Sequence, residues 1–252
     1  MITSTFCLLP GIGRTTERRL WREGITTWSD FLSVSSVRGI SACRKLLYDQ
    51  GISEAQIRYT QNNARYFGLA LPRQEQWRLY EWLRERVVYL DIETDSIGQI
   101  TIVGCYGHGR FTSFVRGESL DARHLAGELS QYDLLVTFCG TTFDVPMLLA
   151  QYPSLPLDQP HIDLCFVGRQ LGYLGGLKAI EAQLDITRAT HLQGLNGHDA
   201  VLLWNRWRRS HDENARERLL DYNEADCVNL ERLADIFYCE MVHKLEFNSS
   251  VL

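Results

Sequence analysis

The segment Leu90–Asp95 reads LDIETD and directly follows the apolar run Val87-Val88-Tyr89, so three carboxylates close a segment that otherwise resembles a buried strand. Because side chains alternate between the two faces of a strand, Asp91 and Glu93 project to the same side. Two neighbouring carboxylates repel each other unless protons or cations neutralise them. The segment therefore predicts a strand whose end gathers positive charge.

Length and composition bound the fold that contains this strand. With 252 residues, of which 45% are hydrophobic, the chain can bury a full core as one large domain or as two unequal domains. Its seven cysteines form no Cys-x-x-Cys pair, which favours a reducing cytoplasm over a disulfide framework or a zinc site. Since no stretch reads as a signal peptide or a membrane span, we expect a cytoplasmic globular protein with no membrane partner.

Charge is distributed unevenly along the chain. Residues 1–86 contain 13 Lys+Arg against 8 Asp+Glu, whereas the rest contains 13 against 23, so regional net charges of +5 and −10 give the overall −5. This asymmetry predicts separate roles, with the first region able to contact phosphates and the second able to concentrate cations.

The first third of the chain reads as helical and contains a glycine-bearing turn, Pro10-Gly11-Ile12-Gly13. A helix follows the turn, and we expect Thr15 or Thr16 to cap it and Gly24 to end it.

This turn resembles that of helix-hairpin-helix modules, which bring backbone N–H groups and a helix N-terminus close to a nucleic-acid phosphate. The resemblance implies phosphate contacts by Gly11, Gly13, Arg14 and Arg18. The alternative is a plain helical bundle whose arginines form a solvated face.

We place a domain junction at Gly68–Pro72, so that residues 1–72 form a small all-α domain. Residues 73–86 follow as an amphipathic connecting helix, with Trp77, Tyr80 and Leu83 on one side.

Residues 87–252 mix strands with helices, and glycine-containing turns between the first three strands favour antiparallel hairpins. The predicted strands are Val87–Thr94, Ile100–Tyr106, Phe111–Arg116 and Leu134–Phe138. The predicted helices are Ala122–Leu129, Pro146–Gln151 and most of the C-terminal third through Lys244.

Two further acidic segments lie in this second region. In Thr137–Leu149 the chain runs from a strand end through Gly140 to Asp144 at a helix start. Farther on, Tyr222 and Asp226 stand at i and i+4 of a predicted helix and therefore share one face.

Taken in order, the three acidic segments resemble the signature of DEDD-type 3′→5′ exonucleases: Asp91-x-Glu93, Gly140-x-x-Phe143-Asp144 and Tyr222-x-x-x-Asp226. One branch of that family has a histidine five residues before the last aspartate, where this chain has Asp221. The other branch has a tyrosine four residues before it, as here. The chain thus resembles the DEDDy branch, and in particular YprB-like proteins, over roughly residues 84–245. The resemblance implies an α/β fold with a ribonuclease-H-like mixed sheet flanked by helices.

The resemblance also implies two divalent cations, Mg²⁺ or Mn²⁺, which prefer carboxylate and water oxygens. Asp91 would bridge both ions, Glu93 and Asp226 would complete the site of the ion that activates the nucleophile, and Asp144 would hold the second ion, partly through water. Tyr222 would orient the attacking water, because the ordinary pKa of a tyrosine, about 10, makes it a poor base at neutral pH.

Each of these residues has a simpler interpretation. Asp91 and Glu93 are also explained as ordinary charges at the end of a strand. Asp144 is also explained as a helix cap, and Tyr222 as a side chain packed over a helix end. We expect Asp95 and Asp221 to be solvated or to lie behind the metal ligands without touching an ion. Asp163 is expected to have a structural role.

Two basic features are open to more than one interpretation. Lys178 lies in a glycine-rich segment that resembles the family's flexible segment, where it would reach a substrate phosphate or remain a solvated lysine. A second group combines tryptophans with arginines and suits either stacking on a single-stranded base or core packing with a charged surface. Its members are Trp204, Trp207, Arg206, Arg208 and Arg209.

Three functions fit these observations. The first is a metal-dependent 3′→5′ exonuclease acting on single-stranded or frayed ends, the second a ribonuclease-H-like endonuclease, and the third an inactive nucleic-acid-binding module. The complete carboxylate set disfavours the third, and the tyrosine spacing favours the first over the second. The helix-hairpin-helix resemblance favours DNA as the partner, with an RNA exonuclease as the alternative.

Overall fold

A computed structural model describes the backbone of residues 1–250 and the side chains of residues 1–245. The chain forms two compact units, Met1–Arg84 with the chain from Tyr238 onward, and Glu85–Phe237. The predicted domains were 1–72, 73–86 and 87–252, whereas the first unit also includes residues 73–84 and part of the C-terminal helix. The predicted division of roles between the domains stays a prediction.

The first unit is helical over its N-terminal residues. Its α-helices are α1 (Arg14–Arg22), α2 (Trp28–Ser33), α3 (Ala42–Thr60), α4 (Ala64–Ala70) and α5 (Tyr80–Leu83). Helix α1 begins directly after Gly13, which is its N-cap residue, so the predicted cap by Thr15 or Thr16 is wrong. Gly11 has a φ of +80° and Gly24 a φ of +83°, the backbone conformation that turns and helix ends require of glycine.

The segment predicted as one connecting helix is divided into 3₁₀ turns at Arg73–Leu79 and Arg84–Arg86 with α5 between them. Trp77, Tyr80 and Leu83 are buried, as the apolar stripe predicts. However, all five residues from Glu75 to Leu79 are also buried, and an amphipathic helix leaves one face in solvent. The apolar stripe gave no sign of these buried polar side chains, whose charges pair inside the unit: Arg78 Nη2 lies 2.7 Å from Glu17 Oε2.

The second unit is built on a mixed five-stranded sheet with strand order β3-β2-β1-β4-β5. The strands are β1 (Val87–Thr94), β2 (Ile100–Gly107), β3 (Arg110–Val115), β4 (Leu134–Thr137) and β5 (His161–Asp163). The first three strands pair antiparallel, while β4 runs parallel to both β1 and β5. The predicted mixed sheet and its hairpins are confirmed.

Helices flank this sheet. They are α6 (Ala122–Leu129), α7 (Asp144–Gln151), α8 (Leu164–Leu171), α9 (Leu177–Gln183), α10 (Gly197–Ser210) and α11 (Glu213–Ser250). Among the described residues, one apolar core lies on each face of the sheet, and the core opposite Val88, Leu90 and Ile92 contains Ile102 and Val115. Val88, Leu90 and Ile92 pack with residues of α6 and α7, whereas the other core contains residues of α10 and α11.

The tryptophans of the basic-aromatic group belong to the second of these cores. Trp204 and Trp207 are buried and meet edge to face with ring centroids 5.1 Å apart. Their arginine neighbours stay at the surface, where Arg208 lies over both rings. The core-packing interpretation of this group is therefore the correct one.

Candidate metal centre

Strand β1 and helix α11 bring together three carboxylates that are far apart in sequence. Asp91, Glu93 and Asp226 each contribute an oxygen, and these oxygens lie within 4.8 Å of one another. Asp91 and Glu93 share the face of β1 opposite Val88, Leu90 and Ile92, so they point toward the α11 side of the sheet. The two-residue spacing in the strand thus sets two carboxylates beside one from the helix.

Burial makes this cluster electrostatically costly. Glu93 and Asp226 are buried, and Asp91 is partly buried. Desolvation and then the charge of Asp226 raise the pKa of Asp91 well above its usual range, and the same two causes raise the pKa of Glu93 to about 8. Three hard oxygen donors at this spacing suit Mg²⁺ or Mn²⁺, because such ions would remove the repulsion. The residues present therefore fit a divalent metal site.

Asp144 lies next to this cluster but outside the group of three. It is the first residue of α7, and its Oδ1 accepts a hydrogen bond from the backbone N–H of Ile92 at 3.1 Å. Burial raises the pKa of Asp144 to about 7. The N-cap position belongs to Phe143, so the side chain of Asp144 is bound to strand β1 instead of capping its own helix. This places the carboxylate beside the backbone between Asp91 and Glu93.

Tyr222 is buried one helical turn before Asp226 on α11. Burial and then the charges of Asp226, Glu93 and Asp91 raise the pKa of its phenol. The hydroxyl therefore stays protonated at neutral pH and is able to donate a hydrogen bond, which is compatible with an orienting role and argues against a general base.

Two cations contact Asp226, and both reach the same oxygen. Lys178 Nζ lies 3.4 Å from Asp226 Oδ1, and Arg188 Nη2 lies 2.5 Å from that atom. Lys178 also stands over the ring of Tyr222, with Nζ 4.5 Å from the centroid. The lysine therefore contacts the acidic site while remaining partly exposed, and its contact with a substrate phosphate stays a prediction.

Sequence reasoning missed Arg188 and Asn223. Asn223 Nδ2 donates to Asp91 Oδ2 at 2.9 Å, so it orients the central carboxylate. Its position three residues before Asp226, on the helix face that carries the motif, is a signal that helical spacing offers. Arg188 lies in the irregular segment after α9, where no periodicity points to the site.

The other three acidic residues singled out in the sequence, Asp95, Asp163 and Asp221, have partners outside the cluster. Asp163 accepts hydrogen bonds from the N–H groups of Cys139 and Thr141 at 2.8 and 2.9 Å, so it holds the loop that leads to Asp144. Its predicted structural role agrees with these bonds. Asp95 pairs with Arg116, and Asp221 contacts the ring of His191 at 2.9 Å.

Apart from Lys178, the predicted phosphate-binding residues lie in the first unit. Gly11 and Gly13 are exposed, and Arg14 and Arg18 are partly buried. Arg14 Nε lies 2.5 Å from Glu75 Oε1, and the other oxygen of Glu75 accepts from Arg78 Nε at 2.9 Å. Arg78 also pairs with Glu17, so these four side chains balance in charge, and a phosphate would compete with Glu75 for Arg14.

A family model described as RNase_H superfamily matches residues 88–238, which is more than half of the chain. The chain therefore belongs to the RNase_H superfamily. The mixed sheet flanked by helices agrees with that fold, and the class is one of nucleases that hydrolyse nucleic acid. A comparison with curated proteins gave no match. Within residues 1–250, every helix is too short or too polar to cross a membrane.

The raised pKa values predict how metal and pH act on stability. A carboxyl group with a higher pKa in the folded state binds its proton more tightly there, so its contribution is lost as pH rises through the folded-state pKa. Without metal, we expect the melting temperature to fall between about pH 5 and 8, the window set by Glu93 and Asp144. Lys178 and Arg188 oppose the shift at Glu93 without cancelling it.

Mn²⁺ should reverse this trend, because the ion replaces protons and binds better as the carboxylates ionise. Thermal melts from pH 5 to 8.5 in EDTA and in Mn²⁺ measure both effects. Glu93→Gln serves as the control and should make the metal-free curve less steep, with the contribution of Asp144 remaining. Parallel curves with and without Mn²⁺ would contradict the assignment of these carboxylates to a metal site.

Proposed function

We propose that this protein is a metal-dependent 3′→5′ exonuclease of the DEDDy type, similar to YprB-like proteins. It would hydrolyse phosphodiester bonds at single-stranded or frayed ends, with DNA as the favoured substrate. The observation that carries the proposal is the convergence of Asp91, Glu93 and Asp226, with Tyr222 one turn before Asp226 on the same helix. This tyrosine supports the exonuclease over a ribonuclease-H-like endonuclease.

Each residue has a defined task in this proposal. Asp91, Glu93 and Asp226 would hold one divalent ion, and Asp91 with Asp144 would hold a second. When bound, the two ions supply an activated water and stabilise charge on the leaving oxygen. The phenol of Tyr222 keeps its proton and donates a hydrogen bond that orients the attacking water.

Lys178 is suited to hold the phosphate that is cleaved. Its side chain is 36% exposed, while its Nζ contacts Asp226 and lies over the ring of Tyr222. The lysine therefore lies between the solvent and the acidic cluster. An ammonium group in this place would neutralise a phosphate approaching the carboxylates, which would otherwise repel it.

The preference for DNA rests on the helix-hairpin-helix-like turn. Among residues 1–245, no side chain caps α1, so the first N–H groups of this helix are suited to a phosphate oxygen. Arg14 and Arg18 follow immediately and add positive charge. Affinity for the nucleic acid would therefore come mainly from residues 1–72, because residues 87–252 carry a net charge of −10.

A nuclease assay on matched DNA and RNA strands tests the proposal. Each strand is blocked in turn at its 3′ or 5′ end and incubated with the full-length protein in Mn²⁺ or EDTA. We expect Mn²⁺-dependent shortening in single-nucleotide steps that only a 3′ block prevents. Discrete internal products would favour the endonuclease, preference for RNA would overturn the DNA assignment, and no cleavage in any metal would favour an inactive binding module.

Salt dependence of binding tests the arginines of the first unit separately. Arg14→Gln and Arg18→Gln, each combined with Asp226→Asn to prevent degradation, should each reduce the slope of log affinity against log salt by about 0.7–0.9. Arg44→Gln removes an exposed charge from α3 and should leave the slope unchanged. Equal slopes for all three variants and the parent would contradict phosphate binding at this turn.

A further inference from the structure

Arg188 is held from two sides beside the proposed metal ligands. Its Nη2 lies 2.5 Å from Asp226 Oδ1 and 2.6 Å from Glu181 Oε1, while its Nε donates to Glu181 Oε2 at 2.7 Å. The side chain is only 8% exposed. Because two parallel bonds join the planar guanidinium to one carboxylate, the group is fixed in orientation as well as in position.

Glu181 is itself anchored to the helix that carries Asp226. It is buried on α9, and its Oε1 accepts a hydrogen bond from Asn229 Nδ2 at 3.0 Å. Asn229 lies three residues after Asp226 on α11, so both residues are on neighbouring positions of one helix face. The chain of contacts from Asn229 through Glu181 and Arg188 therefore returns to Asp226.

The charges in this network bear on whether Arg188 helps or hinders a metal. Arg188 and Glu181 form a pair with no net charge, so the pair adds little repulsion toward an incoming cation. Moving Arg188 away would leave Glu181 buried and uncompensated, which is costly. A fixed guanidinium that binds one oxygen of Asp226 restricts rotation of that carboxylate and directs its other oxygen.

We propose that Arg188 is a positioning residue: held by Glu181, it binds Oδ1 of Asp226 and thereby directs Oδ2 toward Asp91 and Glu93 for metal binding. The inference rests on the metal site of the proposed function. The opposite role is a cation that occupies the place of the metal and must be displaced, and the two roles predict effects of opposite sign on metal affinity.

Calorimetric titration of the full-length protein with Mn²⁺, in the absence of nucleic acid, separates these roles. Arg188→Lys keeps the charge but loses the two-pronged contact, and it should weaken Mn²⁺ binding about 10–100-fold, as expected for residues that orient metal ligands. Arg216→Lys is the matched control, because it makes the same change in an arginine that pairs with Glu118, outside the cluster. It should bind Mn²⁺ as tightly as the wild type.

Unchanged or tighter Mn²⁺ binding by Arg188→Lys would overturn the positioning role. Melting in EDTA shows whether the variant folds. Should it not fold, Glu181→Gln provides the second test, because it loosens the grip on Arg188 and is likewise expected to weaken binding. Wild-type affinity in that variant would also overturn the inference.

The same titration distinguishes this inference from the proposed function. Wild-type protein that binds Mn²⁺ while the Arg188 and Glu181 variants bind it equally well contradicts the inference alone. Wild-type protein that binds no Mn²⁺ contradicts both. If the two residues act as one unit, the loss in the Arg188→Lys, Glu181→Gln double variant should be smaller than the two single losses combined.

Discussion

Replacing Asp226 or Asp91 by asparagine should abolish nucleotide release while leaving the protein folded. Each substitution removes one anionic ligand from a cluster whose oxygens lie within 4.8 Å of one another. An amide is a weak ligand for Mg²⁺ or Mn²⁺ and does not offset their charge, so we expect a loss of at least about 1000-fold in single-turnover rate.

Asp221→Asn is the matched control for these variants. Asp221 is on the same helix as Asp226, but it contacts His191 instead of the cluster. Its amide variant should cleave at close to the wild-type rate. Circular dichroism and melting in EDTA would verify the fold of all three variants. Substantial activity in both Asp91→Asn and Asp226→Asn would exclude a mechanism that depends on this cluster.

The second large effect is expected at Tyr222. Tyr222→Phe removes only the hydroxyl, and the ring can keep its packing with the core formed by α10 and α11. Because a single orienting hydrogen bond is lost, we expect the single-turnover rate to fall by about 10–1000-fold with Mn²⁺ affinity unchanged.

Tyr132→Phe provides the comparison for Tyr222→Phe. Tyr132 is buried in the core on the other face of the sheet, where its hydroxyl donates to Glu128 at 2.9 Å. Loss of that hydroxyl should affect stability but not the rate of cleavage. A wild-type rate in Tyr222→Phe would assign Tyr222 to packing and would weaken the DEDDy assignment.

The strand that carries two of the site residues was predictable because the pattern that specifies it lies within one short segment. An apolar run followed by alternating acids specifies both the strand β1 and the shared face of Asp91 and Glu93. The i, i+4 spacing of Tyr222 and Asp226 likewise depends only on helix geometry. For these two elements, the positions that followed from strand and helix periods agree with the structure.

Contacts between distant segments were not predictable in this way. Arg188 meets Asp226 across 38 residues of sequence, and Asp144 meets the backbone of Ile92 across 52. The pairing of Arg78 with Glu17 spans 61 residues, and it accompanies buried charges in a segment where the apolar stripe predicted an amphipathic helix. Such contacts depend on how the elements pack, and no pattern within a single segment encodes them.

The three carboxylates are compatible with folding before any metal binds. Protonation of Asp91 and Glu93 through their raised pKa values removes part of the repulsion, and Lys178 and Arg188 offset part of the rest at Asp226. A metal that enters this site exchanges protons for its own charge. Metal binding, pH and the stability of the fold are therefore linked through these carboxylates and the two cations beside them.

Anomalous diffraction from crystals of the full-length protein soaked in Mn²⁺ tests the central claim most directly. The account predicts a strong manganese peak between the carboxylates of Asp91, Glu93 and Asp226, and loss of this peak in the Asp226→Asn variant. Manganese bound elsewhere on the protein, with none at these three side chains, would contradict the assignment of this cluster as the metal centre.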